Sequence, residues 1–490
     1  MIRRLLLLLA ATTLLTPTNF VFGLGIPQVQ NVLMIGVDDL RTNLGAYGES
    51  WTSTPNLDRL ASMGMKFTRA YAPQPICNPS RAAFLSGLYP ETSGVLTNNQ
   101  DPRAEGFLPD TRFLPEVYQD NGYFTATIGK LEHRRHQGQM DVDEFENPDN
   151  TFDASAIVES GDIAGYKWQV VDAPDSDFGD GKIADRVVEL LGQQPTATEP
   201  FFIHAGFKKP HQDYIAPQRF FDAHPATAMP LMPQGIDAPD GTRGSVEGRD
   251  GFPELTDTEE RQIIASYAAA TSFMDSQVGR VMDAMDEHDL WDTTAVVFYS
   301  DHGFSLGDHG HWGKANQFES SARIPFIVVT PGVEAGSESD TPIDIVDIFP
   351  TMMELSGLQS PHALDGDSIV PVLEDPDALT DGIAYSVFGT TSDPNVARVR
   401  SIRTPDYSYI RYFDGTDVLF AADDVFEETD LSVDPDFADV LADMQALLAN
   451  AKTASVSDTT AALPEPGVVF FAAALSGLAL ARRRVSGSLS

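Results

Sequence analysis

Asp38-Asp39 and Asp301-His302 stand far apart in the chain, yet each pair directly follows an apolar run of strand character. In an open α/β sheet the residues just beyond the carboxyl ends of the strands share one edge, and ligands bind there. Three carboxylates brought to such an edge repel one another unless a cation joins them. Hard oxygen donors suit Ca²⁺ or Mg²⁺, with Ca²⁺ the expected ion. His302 is a fourth candidate ligand, or a hydrogen-bond partner for a substrate. Either pair taken alone reads equally well as a polar strand cap. Between them falls Cys77, the only cysteine of the 490 residues, in Cys77-Asn78-Pro79-Ser80-Arg81. One thiol cannot form an internal disulfide, so it is either a buried core residue or a reactive group. Lysine and histidine recur in short clusters: Gly129-Lys130-Leu131-Glu132-His133, Lys209-Pro210-His211, and Trp312-Gly313-Lys314 after Leu306-Gly307-Asp308-His309-Gly310. Any one of these is ordinarily surface or core decoration. As an ordered set they fit an anion site.

Such residues need a scaffold that gathers them. From Asn31 to about Leu373, short apolar runs alternate with helical patterns, which predicts an α/β domain with a mainly parallel sheet. Val32–Val37 reads as a buried strand ending at Asp38, and Ala295–Tyr299 as one ending near Asp301. Phe201–Ile203 and Phe326–Val329 read as two more. Thr256 with Glu259 forms a capping-box pattern that opens a long helix to about Glu287. Ile263, Tyr267, Ala270, Met274, Val278 and Met282 give this helix an apolar stripe. Ala82, Ala83, Phe84 and Leu85 suggest a helix start just after Arg81, where backbone amides favour an anion. Asp222–Pro253, rich in Pro, Gly and Asp, is expected to be a long surface loop. After Leu373 the pattern turns to short strands (Ile383–Phe388, Val399–Arg403, Tyr407–Phe413, Val418–Ala421) and a helix at Phe437–Asn450. This predicts a smaller α+β unit with an antiparallel sheet.

The Cys77–Arg81 stretch, followed by Gly87-Leu88-Tyr89-Pro90 and Gly94, resembles the formylglycine-dependent sulfatases, whose maturation motif is Cys-x-Pro-Ser-Arg. Asp301-His302 together with Lys209-Pro210-His211 looks like the iduronate sulfatase branch. The resemblance runs from about Asn31 to Asn450. It implies an alkaline-phosphatase-like large mixed sheet flanked by helices, with the small antiparallel unit behind it. It also implies that Cys77 is oxidised by a formylglycine-generating or sulfatase-maturing enzyme to an aldehyde, which hydrates to a geminal diol. One hydroxyl, acidified by the metal, attacks sulfur and expels the alcohol; the other drives collapse to the aldehyde and releases sulfate. In this scheme Asp38, Asp39, Asp301, His302 and the oxygens of matured Cys77 hold the divalent cation. Arg81 holds the diol, Lys130 the sulfate, and His133 is the base beside the diol. His211 serves the leaving oxygen, and Lys314 contacts both sulfate and leaving oxygen. The implied substrates are sulfated polysaccharides or uronic-acid-containing glycan fragments. Arg134-Arg135-His136 is more basic than the family pattern at that place; it reads equally as further contacts to an anionic glycan or as a solvated charge run.

Asp+Glu number 72 against Lys+Arg 32, a formal net charge of -40. Such a surface disfavours nucleic acid and anionic membranes, and it suits salty surroundings. Residues 1–23, with Arg3, Arg4 and a leucine run, read as a signal peptide. Residues 24–374 are the expected catalytic domain and 375–454 the small unit. Residues 455–490 form a polar linker and a Pro464-Glu465-Pro466 segment, then an apolar run closed by Arg482, Arg483 and Arg484. This resembles PEP-CTERM sorting tails and implies sorting machinery as a partner, with an ordinary C-terminal anchor as the other reading. Either way the mature protein is expected outside the cytoplasm, in the periplasm, at the cell surface or beyond. Two other functions compete: a phosphatase or phosphonate monoester hydrolase of the same superfamily, and a non-catalytic surface glycan-binding protein. Rates on sulfate against phosphate esters separate the first. The presence of His133 and His211, which binding alone does not need, argues against the second.

Overall fold

Val32–Val37 folds as part of the strand Asn31–Asp38, in which every residue is buried. Successive side chains point to opposite faces. Val32 and Met34 enter one apolar layer, and Leu33, Ile35 and Val37 enter the other. A strand buried on both faces needs an unbroken apolar run, as this sequence has. The computed structural model describes residues 25–133, 138–194, 197–233, 235–236, 254–378, 382–389 and 399–451. The expected signal peptide, the sorting tail, the basic run at 134–136 and residues 237–253 of the expected loop lie outside them.

The main sheet has nine strands, with Asn31–Asp38 near its middle. On one side of it lie Phe201–Pro210, Phe124–Gly129 and Glu144–Glu146, all parallel. On the other side Thr294–Ser300 is parallel, and Arg323–Val329 then runs antiparallel to both Thr294–Ser300 and Met65–Tyr71. The short strands Ser337–Ser339 and Ile343–Asp344 pair with Met65–Tyr71. The sheet is mixed and mainly parallel, as the alternation of strand and helix patterns predicts.

Helices cover both faces. Ile183 and Val187 of helix Gly179–Gln193 join Met274, Val278 and Met282 of helix Asp257–Glu287 in one layer. Phe84 of helix Cys77–Ser86, Val117 of Leu114–Asp120 and Met352 of Ile348–Ser356 fill the other. The long helix opens with the predicted capping box: the Thr256 amide donates to Glu259 Oε2 at 2.8 Å, and the Glu259 amide to Thr256 Oγ1 at 3.4 Å. All six residues of its predicted stripe are buried.

Two expectations need correction. The helix containing Arg81 begins at Cys77, not after Arg81. Pro79 falls in its first turn, where a missing backbone N–H leaves nothing unsatisfied, so Cys-Asn-Pro-Ser-Arg is helical from its first residue. The stretch from Asp222 is also not all loop. Its start belongs to helix Gln218–Ala223, and Met229 and Met232 are buried against Tyr267. A further sheet of Ile157–Ile163, Tyr166–Val171 and Tyr214–Pro217 was not anticipated, because its strands are short and partly polar.

The C-terminal unit forms the antiparallel order Ala384–Phe388, Val399–Arg403, Tyr407–Arg411, Asp417–Ala421, with helix Ala438–Ala451 packed on it through Met444 and Leu448. It is fastened to the main body by the buried Arg403, whose Nε donates to Glu319 Oε1 at 2.9 Å. Among the described residues no helix is long and apolar enough to cross a membrane.

Candidate active site

Four adjacent parallel strands, Phe124–Gly129, Phe201–Pro210, Asn31–Asp38 and Thr294–Ser300, end on the same edge of the sheet. The residues that follow them are Lys130–His133, His211, Asp39 and Asp301-His302. Chain direction in the sheet therefore brings together groups that the sequence keeps far apart. Cys77, Arg81 and Lys314 enter from outside the sheet, on a helix and a loop. Every residue proposed for the site is gathered here.

Asp38, Asp39, Asp301 and His302 are each at most 1% exposed. Asp39 has φ of 64°, a left-handed conformation that aspartate tolerates better than most residues. Three hydrogen bonds hold that turn: the Asp39 amide to Asp301 Oδ1 (3.3 Å), the Leu40 amide to Ser300 Oγ (3.0 Å), and Tyr267 Oη to the Asp39 carbonyl (2.8 Å). The bends after the two strands are thus tied to each other, which fixes the spacing of their carboxylates.

His302 Nδ1 lies 2.9 Å from the Gly303 carbonyl, which can only accept, so Nδ1 carries a proton. Nε2 then faces Asp39 Oδ1 at 3.3 Å and Asp301 Oδ1 at 3.6 Å. This is how a ligating histidine is oriented by a second hydrogen bond. One ligand atom each from Asp38, Cys77, Asp301 and His302 lie within 4.8 Å of one another, and the same holds for Asp38, Asp39, Cys77 and His211. Hard carboxylate oxygens dominate this set, so the residues fit Ca²⁺ or Mg²⁺. In the protein alone, burial disfavours the charged His302 ring, but Asp301 overcomes this and raises its pKa to about 9. Burial raises Asp301 to about 6 although Arg81 opposes it. A cation bound here competes with these protons.

Cys77 and Arg81 are separated by one helical turn and share a face. The Cys77 Sγ lies 3.0 Å from Lys314 Nζ, 3.3 Å from His302 Nε2 and 3.5 Å from Asp38 Oδ1. Burial and Asp38 raise the Cys77 pKa, yet Lys130, Lys314 and His302 outweigh them and hold it well below the usual thiol range. Arg81 donates to Asp301 Oδ2 (2.8 Å) and to the carbonyls of Lys130 (2.8 Å) and Leu131 (3.2 Å). Its Nη2 is buried without a hydrogen-bond partner among the described residues, 3.8 Å from Asp38 Oδ1. A buried guanidinium nitrogen left free beside the thiol is a ready donor for an anionic oxygen.

Lys130 Nζ contacts Asp38 Oδ2, and Lys314 Nζ lies 2.7 Å from Asp39 Oδ1. Three carboxylates thus face three cations, Arg81, Lys130 and Lys314. A divalent ion added to that balance leaves the pocket positive toward an incoming anion. The two histidines differ. Burial lowers His133 to about 4, so it is neutral at pH 7 and can accept a proton. Burial also opposes charge on His211, but Asp39 and Asp38 raise its pKa above the ordinary value. Asp38, Lys130, His133 and His211 open onto a cavity of about 580 Å³ that Asn150, Asp180 and Lys208 also line.

That Tyr267 and Ser300 shape the Asp39 turn, and that Asp180 lines the cavity, is visible only in the fold. Sequence reading missed Arg41. It grips Asp308 with two bonds of 2.7 and 2.9 Å and so ties the loop leading to Lys314 to the turn after Asp39. Its position two residues beyond Asp39 was the only available signal. His309 of the same motif stacks on Phe318 at 3.9 Å.

The Sulfatase family profile matches residues 30–358, and the profile described as N-sulphoglucosamine sulphohydrolase, C-terminal, matches residues 307–454. A sulfatase of Formosa agariphila is 32% identical over 416 residues, covering 80% of each chain. Iduronate 2-sulfatase of Homo sapiens is 30% identical over 393 residues, covering 68% of this chain and 70% of its own. The phosphonate monoester hydrolase of Agrobacterium radiobacter superposes with a TM-score of 0.72 at 22% identity, over 87% of this chain and 96% of that one. This last likeness speaks for the fold.

Proposed function

The chain belongs to the sulfatase family, and on that premise we propose that it is an exported sulfuric ester hydrolase acting on sulfated, uronic-acid-containing glycans through a formylglycine made from Cys77. The observation that carries this reading is the convergence of Asp38, Asp39, Asp301 and His302 on Cys77 Sγ, with the buried Nη2 of Arg81 3.8 Å from Asp38 Oδ1. Matured Cys77 would supply an oxygen nucleophile for sulfur, and a divalent cation, Ca²⁺ in this reading, would supply the charge that acidifies it. Asp38, Asp39, Asp301 and His302 would hold that cation together with the matured side chain.

The protein's own groups divide the remaining work. Arg81, Lys130 and Lys314 bring positive charge to the sulfate oxygens in a pocket largely closed to water, where such charge acts strongly. His133, neutral at pH 7, accepts the proton from the nucleophile. His211, its pKa raised by Asp39 and Asp38 against burial, gives a proton from Nε2 to the leaving oxygen. Their surroundings drive the two histidines in opposite directions.

The glycan class is supported by the similarity to human iduronate 2-sulfatase and by the cavity of about 580 Å³, which has room for a sugar unit. The basic Arg134-Arg135-His136 run suits an anionic sugar. Export and surface sorting rest on the two terminal segments. The phosphonate monoester hydrolase reading keeps one observation, the shared fold.

Mass spectrometry of the Cys77 peptide from protein co-produced with a maturing enzyme tests the core of the proposal. Conversion of thiol to aldehyde lowers the peptide mass, and Cys77→Ala is expected to abolish hydrolysis of sulfate esters with the fold intact. An unmodified cysteine in fully active protein, or phosphate esters turned over faster than sulfate esters, would count against it.

A further inference from the structure

His211 reaches the site from a turn that Lys209 holds shut. The imidazole Nδ1 lies 2.5 Å from the Gln212 carbonyl, an acceptor, so Nδ1 keeps its proton there and Nε2 alone faces the pocket, 3.9 Å from Asp39 Oδ2. The carbonyls on either side of Gln212 are both taken by one group: Lys209 Nζ donates to His211 O at 2.9 Å and to Asp213 O at 2.5 Å. Among the described residues Lys209 makes no ion pair within salt-bridge distance, so its ammonium is committed to backbone. Lys209 is itself anchored. Both oxygens of Asp180, in the first turn of helix Gly179–Gln193 and 3% exposed, accept amides: Lys208 N at 2.9 Å and Lys209 N at 3.0 Å.

We propose that Lys209 is a positioning residue for His211: it clamps the 211–213 turn so that the Gln212 carbonyl fixes the imidazole with Nε2 toward the leaving oxygen. The inference rests on the reading that His211 protonates that oxygen. Asp180 stands behind the clamp by fixing the backbone of Lys208 and Lys209. A lysine beside an anion pocket would otherwise be read as a sulfate ligand, but two of its three N–H bonds point at carbonyls. The clamp also explains how His211 keeps one orientation although the ring is partly open to the cavity.

A group that acts through the acid matters most when the leaving group is a poor one. The test is a series of aryl sulfates of rising leaving-group basicity, from 4-nitrophenyl to phenyl to 4-methoxyphenyl sulfate, turned over by matured full-length protein. Lys209→Met is expected to lower kcat/KM for the poorest leaving group about 100-fold while changing the 4-nitrophenyl ester by less than about threefold, as loss of a general acid does. His211→Ala should show the same steepened dependence, and the double variant should be no worse than His211→Ala alone. Lys209→Arg, which can still donate to both carbonyls, should restore most of the loss. Equal losses across the series would overturn the proposal, since they mean that Lys209 serves the sulfate itself.

A second measurement needs no turnover. The slowly exchanging His211 Nδ1 proton, identified in ¹⁵N-histidine spectra by its absence from His211→Ala, should be present in wild type and lost in Lys209→Met. Its persistence in Lys209→Met would overturn the proposal. If wild type hydrolyses no sulfate ester, the functional reading fails on its own, and this resonance still decides the role of Lys209.

Discussion

Gly206→Ala puts one methyl group where the sheet has no room for it. Gly206 lies in strand Phe201–Pro210, opposite Gly36 on one neighbour and Gly129 on the other. A Cβ there would stand 2.4 Å from the Lys130 carbonyl oxygen and 2.6 Å from its nitrogen, both backbone atoms. Ordinary contact begins roughly 1 Å further out, so Lys130 must move by about that much. Its backbone is held on both sides, by its amide to the Gly206 carbonyl at 2.7 Å and by Arg81 Nη1 to its own carbonyl at 2.8 Å. The displacement therefore passes to Lys130 and Arg81 together. Overpacking of this kind costs about 1–3 kcal/mol of stability. A misplacement of about 1 Å at catalytic groups costs about 100-fold in rate, roughly 2.7 kcal/mol of barrier. Urea denaturation gives the first number, and kcat/KM on an aryl sulfate gives the second. Reduced stability with wild-type kcat/KM would mean that the strain relaxes away from Lys130 and that Gly206 does not position it.

His204 is fully buried with Nε2 3.0 Å from Tyr299 Oη, and burial followed by the nearby Arg81 lowers its pKa from 6.5 to about 3. Between those values the unfolded chain binds the proton and the folded one does not, so its contribution is complete above 6.5 and is lost as pH falls. From pH 7 to 5 the loss is about 2 kcal/mol. His204→Gln should flatten the denaturation profile by that amount, and an unchanged slope would exclude the assignment. For the metal, elemental analysis of active protein should find one divalent ion per chain. Chelation should remove activity and Ca²⁺ restore it, and Asp301→Asn should weaken binding because a carboxylate shared with His302 and Arg81 is gone. Active protein without a stoichiometric divalent ion would refute the site.

Much of the candidate site was legible because its residues stand in short ordered motifs that resemble those of the sulfatases. Aspartates directly after apolar strand runs, a lone thiol followed by Pro-Ser-Arg, and histidines beside lysines are hard to place in a core without a partner. The strand runs were legible for the complementary reason: a strand buried on both faces must be apolar throughout. The three-stranded sheet containing Tyr166–Val171 was missed, since short, half-polar strands owe their existence to what packs on them. The start of the Cys77 helix was misplaced because Asn78 and Pro79 weigh against a helix unless Pro79 is recognised as a first-turn residue.

The chemistry on offer was already written in the chain: three carboxylates, one thiol, an arginine four residues beyond it, two lysines and three histidines in ordered motifs, on an α/β framework. The fold set which of those groups meet. Parallel pairing placed four strand ends on one edge, so residues hundreds of positions apart came within hydrogen-bond distance. Burial and neighbouring charge then separated two chemically identical side chains, lowering His133 to about 4 and raising His211. The identity of a residue sets its ordinary pKa. The dielectric around it and the charges facing it set its pKa in the fold, and both depend on contacts that adjacent sequence does not contain.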